Sequence, residues 1–340
     1  MKSEPRIRAA LPEGLTPAIL REMYAKMVLT RQCDDRAFAL NRQGKIPFAA
    51  TCQGHEAVQA GAAFAVRRGT DWIVPYYRDT CLALSAGVTA KEQLMCLFAR
   101  KGDIFSSGRQ FPNHYSVPDR NIASISSIIA AHVTHGVGMA LAFKMRKEPA
   151  VVLITFGEGS TSEGEWHEAL NFAAVQRVPV VFVCENNRWA ISTPQVKQMV
   201  NQDVAARARG YGLPSVVVDG FDPVAVYEGV AAARETAARG GGATLIEAKC
   251  YRFLSHTTDD DDKTYRTREE VEAQRKLDPV PRFERRLLEL GVLSQAQLDA
   301  LRSEITATVN ATTDDVEREA LPERADLYGN VWEGPDSPWV

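Results

Sequence analysis

The chain has 340 residues, of which 45% are hydrophobic and 24% charged, values typical of a globular protein with a large core. Its formal net charge of -3 and its pI of about 6.1 argue against the basic surface that nucleic acid or an anionic membrane requires. The first residues lack an apolar segment of signal-peptide length, and no stretch approaches the roughly 18 apolar residues of a membrane span.

The cysteines indicate the compartment. None of them forms a C-x-x-C pair, and several stand within apolar patterns. The pattern therefore predicts reduced core thiols in a cytoplasmic protein. The six are Cys33, Cys52, Cys81, Cys96, Cys184 and Cys250.

The amino-terminal part of the chain has helical patterns. Residues 16–42 place apolar residues at helical spacing with Arg, Lys and Asp between them, which predicts an amphipathic helix. Such a helix packs on a core or on a partner chain. Residues 43–53 have the composition of a loop, and residues 55–66 again follow a helical pattern.

From residue 122 onward, short β-branched runs alternate with helical segments. The predicted strands are 150–156, 179–184, 215–218 and 243–250, and the predicted helices are 128–146, 163–176, 202–210 and 222–239. This alternation predicts an α/β fold with a doubly wound, mostly parallel sheet and helices on both faces. Ligands of such sheets bind beyond the carboxyl ends of the strands.

A polar loop and charged helices follow the last predicted strand. Residues 251–267 contain a run of four aspartates, and we expect their repulsion to keep this loop mobile until a ligand organises it. Residues 268–320 have the pattern of charged amphipathic helices. We therefore predict an N-terminal helical arm (1–45), an α/β domain (46–265) and a C-terminal helical segment and tail (266–340).

A carboxylate bracketed by glycines, in the sequence GEGS at residues 157–160, follows the predicted strand 150–156. The dinucleotide fingerprint fails here because Ser162 stands where the third glycine belongs. The nucleoside-triphosphate loop fails because Glu165 stands where its lysine belongs. Glycines at such a place let the backbone approach a phosphate, and here a metal ion would supply the charge of the missing lysine.

Glu158 and Asn187 follow successive predicted strands joined by one helix. A right-handed crossover brings such strand ends together. Carboxylate and carboxamide oxygens suit Mg²⁺, which shares its ligands with phosphates, and a helix that opens near residues 160–163 favours an anion. The pair thus predicts a magnesium and diphosphate site, although two turn residues would give the same pattern.

Six motifs occur along the chain, and two of them contain Glu158 and Asn187. They are GRQFPNH (108–114), SISS (124–127), GEGSTSEGEWHEALNFAAV (157–175), ENNRWAISTP (185–194), VDGFDP (218–223) and SHTTDDDDKTYR (255–266). Together they resemble the α subunit of the E1 component of 2-oxo acid dehydrogenase complexes, and most of all the branched-chain (2-oxoisovalerate) type. The similarity runs from about residue 20 to about residue 330.

This resemblance implies thiamin diphosphate and Mg²⁺ as cofactors. It assigns the metal to Glu158, Asn187 and the main-chain carbonyl of Trp189. The implied cofactor contacts are Tyr77, Arg78, Ser127, Ile129, Gly157, Glu158, Gly159, Ser160, Asn187, Arg252 and His256. His256 is also the implied catalytic residue, and the implied substrate contacts are Phe48, Tyr76 and Ser127.

The sequence departs from the family pattern at several positions. Ala131 and His132 replace residues that lie near a monovalent-cation site in some relatives, and Ile128 replaces a proline of many members. Thr257 and Thr267 stand where mitochondrial relatives carry regulatory serines. We expect no phosphoregulation, because the nearby acidic run would repel an added phosphate.

The resemblance implies oxidative decarboxylation of branched-chain 2-oxo acids, followed by reductive acylation of the lipoyl group of E2. In this family the carboxylate that acts on the aminopyrimidine ring belongs to the β subunit. The implied partners are therefore an E1 β subunit, in an α2β2 heterotetramer with its active site at the α/β interface, and a lipoyl-bearing E2 acyltransferase. The alternatives are a pyruvate or acetoin dehydrogenase E1 α subunit and a non-catalytic magnesium-phosphate scaffold.

Overall fold

The structure, a computed structural model, describes residues 11–329. Its helices are α1 (Pro17–Arg42), α2 (Glu56–Ala65), α3 (Thr80–Ser85), α4 (Ala90–Leu97), α5 (Ala131–Arg146), α6 (Gly164–Gln176), α7 (Gln195–Gln198), α8 (Val204–Ala208), α9 (Pro223–Ala238), α10 (Arg268–Arg275), α11 (Pro279–Glu289) and α12 (Gln295–Glu317). Its strands are β1 (Trp72–Val74), β2 (Val152–Gly157), β3 (Val180–Asn186), β4 (Trp189–Ala190), β5 (Thr193–Pro194), β6 (Ser215–Asp219) and β7 (Thr244–Lys249).

Five of these strands form one parallel sheet in the order β1-β2-β3-β7-β6. Alternate residues of β2 pack into two different cores, as the period of a strand requires. Ile154 lies among side chains of α5 and α6, whereas Leu153 lies among side chains of α2 and α9. The predicted α/β fold, with its doubly wound parallel sheet and helical N- and C-terminal appendages, is confirmed.

The helices at the two ends of the chain form a shared layer. α1 contacts α12, α2, α3 and α11, and a core that includes Leu20, Met27 and Phe283 lies between them. Thr16 caps α1 by accepting a hydrogen bond from the N–H of Ile19 at 3.3 Å. The domain boundaries at residues 45 and 265 stay a prediction, and the ends of both terminal segments, including the tail after residue 329, lie outside the described residues.

Most predicted elements are present, with boundaries shifted by a few residues. Helix α5 begins at Ala131 rather than at residue 128, because Ala130 has a φ of 69° and cannot continue a right-handed helix. Helix α8 ends at Ala208 and passes into a 3₁₀ turn at 209–211. We predicted no strand at 72–74, and β1 is too short to show a period in the sequence.

All six cysteines are buried, and none is in a disulfide. Their burial matches the predicted core thiols. Within residues 11–329, no helix is both long enough and apolar enough to cross a membrane.

Candidate active site

Four neighbouring strands of the sheet end at the same edge, and each is followed by predicted site residues. Arg78 follows β1, Glu158 follows β2, Asn187 follows β3 and Arg252 follows β7. The order β1-β2-β3-β7 places these strand ends side by side. The site therefore lies where a doubly wound sheet binds its ligands.

Glu158 presents a free carboxylate oxygen in a buried place. The side chain is buried, its Oε2 accepts a hydrogen bond from the N–H of Asn187 at 3.1 Å, and its Oε1 has no hydrogen-bond partner within residues 11–329. Burial raises the pKa of Glu158 to about 7, against the opposing effects of two backbone N–H groups, Arg252 and Arg78. An unpaired buried carboxylate oxygen of this kind is suited to bind a cation.

The other two predicted metal ligands lie in one turn beside Glu158. The Oδ1 of Asn187 accepts a hydrogen bond from the N–H of Trp189 at 3.1 Å, and Arg188 between them has a φ of 71°. The carbonyl of Trp189 accepts from Nη1 of Arg252 at 3.2 Å. Amide and carbonyl oxygens each have two lone pairs, so both can still bind a cation.

This oxygen set fits Mg²⁺ better than a softer metal. Within residues 11–329, no three or more His, Cys, Asp or Glu side chains group together as a metal site. A metal at Glu158 would therefore depend on one carboxylate, two neutral oxygens and oxygens of a ligand. Mg²⁺ accepts this combination, because it is usually held by one or two carboxylates together with substrate phosphates.

Arg78 is a buried cation with unused hydrogen-bond donors. Its Nη1 donates to the carbonyl of Thr51 at 2.6 Å, and its Nη2 contacts the Nδ1 and the carbonyl of His256, both at 3.1 Å. The half-buried Tyr77 places its ring 5.5 Å from the guanidinium. Three of the five N–H groups of arginine are used, and the remaining two can bind an anion.

The proton on His256 can be assigned from its neighbours. Arginine only donates hydrogen bonds, so the Nδ1 that contacts Arg78 must accept. Burial, assisted by Arg78 and Arg252, lowers the pKa of His256 to about 3. His256 is therefore neutral at pH 7 and carries its proton on Nε2, where it can donate to a ligand.

Arg252 uses most of its donors within the protein. It donates to the carbonyls of Leu254 at 3.2 Å, Trp189 at 3.2 Å and Ile191 at 2.8 Å, and to the hydroxyl of Tyr265 at 3.0 Å. Burial lowers the pKa of Arg252 to about 10, so the group stays charged at neutral pH. Arg252 thus ties the loop at 251–267 to the turn that carries Asn187 and Trp189.

The acidic run in this loop is largely paired within the chain. Asp260 accepts from the N–H of His256 at 2.7 Å and from the hydroxyl of Tyr265 at 2.5 Å, and Asp262 forms an ion pair with Arg266 at 2.6 Å. Asp261 caps the short 3₁₀ helix at 262–264. These contacts offset the repulsion that we expected to keep the loop mobile.

The predicted substrate residues Phe48 and Ser127 both contact the segment 108–114. The half-buried ring of Phe48 lies 5.4 Å from that of Phe111, and the hydroxyl of Ser127 donates to Nε2 of His114 at 2.5 Å. Nδ1 of His114 contacts the carbonyl of residue 112 at 3.1 Å, which leaves Nε2 as the acceptor. Ile129, two residues after Ser127, is half-buried.

Tyr76 is buried, and its hydroxyl donates to Oε2 of Glu185 at 3.1 Å. The two glycines predicted to contact the cofactor differ in the space around them. A Cβ on Gly159 would lie 3.0 Å from that of Ala190, whereas a Cβ on Gly157 would meet open space. Ser160 is buried in the 3₁₀ helix at 158–162 that precedes α6. The turn after Glu158 is therefore 3₁₀ rather than the direct start of an α-helix.

His132, at the position related to a monovalent-cation site, makes a protein contact. Its Nε2 donates to the carbonyl of Thr155 at 2.8 Å, and burial lowers its pKa to about 4. The neighbouring Ala131 is the first residue of α5.

Gln198, which no sequence motif indicates, supports the glycine-rich turn. Its Nε2 lies 3.2 Å from the carbonyl of Glu158, 3.1 Å from that of Gly159 and 2.9 Å from Oγ of Ser162. Gln198 lies 40 positions along the chain from Glu158, in the short helix α7. No local pattern in the sequence indicates such a contact.

Known proteins match this chain over most of its length. Residues 24–324 match the family described as dehydrogenase E1 component. The 2-oxoisovalerate dehydrogenase subunit alpha of Bacillus subtilis (strain 168) is 48% identical over 314 residues, which cover 92% of this chain and 95% of that protein. The 3-methyl-2-oxobutanoate dehydrogenase subunit alpha of Mycobacterium tuberculosis (strain ATCC 25618 / H37Rv) is 38% identical over 334 residues, 98% of this chain and 83% of that protein.

A relative with another name is also similar. The pyruvate dehydrogenase E1 component subunit alpha of Bacillus subtilis (strain 168) is 38% identical over 297 residues, which cover 87% of this chain and 77% of that protein. The resemblance to E1 α subunits seen in the sequence motifs is confirmed by these matches. The chain belongs to the dehydrogenase E1 component family.

Proposed function

We propose that this chain is the α subunit of a thiamin-diphosphate-dependent E1 enzyme that decarboxylates branched-chain 2-oxo acids and acylates the lipoyl group of E2. The observation that carries the proposal is the convergence of Arg78, Glu158, Asn187 and Arg252 at neighbouring strand ends. An anion with a bound divalent cation is the ligand that this combination of charges and oxygens suits.

Each of these groups has a specific task in the proposal. The two unused N–H groups of Arg78 would bind the diphosphate, and Oε1 of Glu158 with the oxygens of Asn187 and Trp189 would hold Mg²⁺. When bound, thiamin diphosphate supplies the nucleophilic carbon for decarboxylation. His256 donates from Nε2 toward the reacting carbonyl or carboxylate, and its contact with Arg78 excludes Nδ1 as a base at neutral pH.

The partners in the proposal are an E1 β subunit, as α2β2, and a lipoyl-bearing E2. Large apolar side chains are exposed on the segments between the strands of the sheet, among them Ile128 (69% exposed), Ile191 (56%) and, in α7, Val196 (72%). Exposed apolar surface around a site is what a partner subunit covers. A β subunit would also supply the carboxylate for the aminopyrimidine ring, and the cytoplasm stays the proposed location.

The proposed substrate class rests on the relatives and on the motif HTTDDDD at 256–262. The relative with the higher identity bears the name of a 2-oxoisovalerate dehydrogenase, and the pyruvate dehydrogenase relative is less similar. A pyruvate E1 would share the metal and diphosphate site and would differ in the acyl pocket. Phe48 and Phe111 are the side chains that we expect to discriminate there.

The test is a decarboxylation assay with an artificial electron acceptor, with 2-oxoisovalerate and pyruvate compared at saturating cofactor and Mg²⁺. We expect no turnover from the purified chain alone and recovery on adding its β subunit. Loss of a general acid or base alone lowers rates by about 10²- to 10⁴-fold, and loss of the half-site lowers them further. Turnover by the chain alone, free of β by mass spectrometry, would refute the divided site, and preference for pyruvate would refute the substrate class.

A further inference from the structure

Glu247 is a buried carboxylate without a cationic partner. It lies in the middle of β7 with no exposed surface, and no ion pair to it occurs within residues 11–329. Its two hydrogen bonds come from neutral donors, namely Nδ2 of Asn186 at 2.7 Å and the N–H of Ala205 at 2.8 Å. Burial of such a group in the core of a sheet costs free energy, which these two hydrogen bonds offset.

The contact with Glu247 fixes the orientation of the Asn186 amide. Nδ2 of Asn186 donates to Oε1 of Glu247 at 2.7 Å, so the amide turns its NH₂ group toward Glu247. Its Oδ1 then faces the opposite way and accepts from the N–H of Arg188 at 3.2 Å. The main chain of Asn186 is also held, because its carbonyl accepts from the N–H of Cys250 at 2.9 Å.

This orientation shapes the turn that carries the proposed metal ligands. The bond from the N–H of Arg188 to Asn186 is followed by the bond from the N–H of Trp189 to Asn187, so two side-chain turns overlap. Arg188 has a φ of 71°, which a residue with a side chain adopts only when its surroundings hold it there. The oxygens of Asn187 and Trp189 take their places from this held backbone.

We infer that Glu247 is a positioning residue for the divalent-cation site, acting through the amide of Asn186 on the turn of residues 186–189. The inference deepens the proposed function and rests on it. Glu247 does not touch the metal in this arrangement. It sets which way the Asn186 amide points, and the amide sets the geometry of the ligands that follow.

An exchange of the two side chains tests this directly. In Glu247→Gln, the single side-chain oxygen at residue 247 cannot accept from both Asn186 and the N–H of Ala205 in their present positions. We expect the Asn186 amide to rotate, which turns its NH₂ group toward the N–H of Arg188. In the double variant Glu247→Gln with Asn186→Asp, the carboxylate at 186 accepts from Arg188 and from the new Gln side chain. The Gln carbonyl accepts from the N–H of Ala205. All three hydrogen bonds of the wild type are therefore restored, and only the one between residues 186 and 247 has its donor and acceptor exchanged.

The experiment measures Mn²⁺ as the probe for the divalent cation. The full chain, co-purified with its β subunit and saturated with thiamin diphosphate, is titrated with Mn²⁺ while free Mn²⁺ is followed by electron paramagnetic resonance. We expect Glu247→Gln to bind Mn²⁺ about 10- to 100-fold more weakly, as for other groups that orient metal ligands, and the double variant to bind close to wild type. Thermal unfolding is recorded for every variant.

Asp71→Asn is the matched control. Asp71 is also a buried carboxylate, but it pairs with Arg234 directly before β1, at the amino-terminal ends of the strands and so away from the site. This variant should unfold at a lower temperature and bind Mn²⁺ as wild type does. Equal weakening of Mn²⁺ binding in the control would attribute the effect to lost stability and overturn the inference.

The remaining outcomes separate the inference from the proposed function. Wild-type affinity in Glu247→Gln, or a double variant as weak as the single one, overturns the positioning role and leaves the proposed function standing. If Glu247→Gln does not fold, the double variant decides, because wild-type affinity supports the role and weak binding overturns it. A wild-type complex that binds no Mn²⁺ overturns the proposed function and the inference together.

Discussion

Replacement of Arg78 by lysine keeps the positive charge but removes the planar group with its five separate N–H donors. Arg78 reaches the carbonyl of Thr51, two atoms of His256 and, in the proposal, the diphosphate, from the separate nitrogens of one planar group. The lysine ammonium offers its three donors at a single point and cannot serve these directions together. We therefore expect the protein contacts of residue 78 and its phosphate contacts to compete in Arg78→Lys.

The expected loss can be estimated from the hydrogen bonds. Two N–H groups of Arg78 remain for the diphosphate, and each hydrogen bond to a charged group contributes about 1.5–3 kcal/mol. Loss of one to two such bonds, partly replaced by the lysine, amounts to about 3 kcal/mol. Since about 1.4 kcal/mol corresponds to a tenfold change, the Kd for thiamin diphosphate should rise on the order of 100-fold.

The assay is calorimetric titration of the α–β complex with thiamin diphosphate at saturating Mg²⁺. Arg120→Lys is the control, because Arg120 makes a two-pronged contact with Glu92 at 2.7 and 2.8 Å, outside the site. The control should bind the cofactor as wild type does. If Arg78→Lys unfolds at a lower temperature but its Kd stays within about twofold of wild type, Arg78 has only a structural role and the reasoning from its free donors fails.

Three further predictions concern the metal, the loop and the effect of pH. Asn187→Ala removes one of the proposed metal ligands and should weaken cofactor binding at limiting Mg²⁺, and unchanged titration curves would refute that assignment. Arg266 donates to the carbonyls of Arg252 and Leu254 at 2.5 and 2.6 Å. Arg266→Ala should therefore speed proteolysis within 251–267, and equal cleavage of variant and wild type would show that these hydrogen bonds do not hold the loop. The lowered pKa of His132, about 4 against about 6.5 when unfolded, means that the unfolded chain binds the proton more tightly, so stability falls as pH drops through this window. His132→Gln keeps a donor for Thr155 and should flatten that slope in urea unfolding, and an unchanged slope would show that other groups cause it.

The sequence predicts the part of the site that depends on strand ends. Glu158 and Asn187 each stand one to three residues after a long apolar run, so the apolar runs in the sequence locate both residues without any knowledge of tertiary contacts. The parallel order of the sheet then brings the two together, as the Asn187 to Glu158 hydrogen bond at 3.1 Å shows. Arg78 and His256 required the family resemblance, because their contact spans 178 positions.

Other features could not be predicted because they depend on packing alone. Glu247 stands within a buried strand, and a single acidic residue there has no pattern that separates it from a solvent-facing position. β1 has three residues, fewer than any periodic signal needs. The ion pairs of the acidic loop could not be predicted either. A run of aspartates predicts repulsion between their charges, whereas the ion pair of Asp262 with Arg266 forms only in the folded loop.

The charges of the site explain why it should bind an anion together with a metal. Arg78 and Arg252 are both buried, and the positive charge of Arg78 adds to the effect of burial in lowering the pKa of Arg252. Burial, together with both arginines, also lowers the pKa of His256. Glu158 lies in the field of both arginines, yet burial still raises its pKa to about 7, so this single carboxylate does not balance them. A bound diphosphate would reduce the repulsion between the arginines, and a bound divalent cation would offset the cost of burying the Glu158 carboxylate, so each should strengthen binding of the other. Cofactor and metal are therefore expected to bind cooperatively, and a Kd for thiamin diphosphate that does not depend on Mg²⁺ concentration would contradict this electrostatic account.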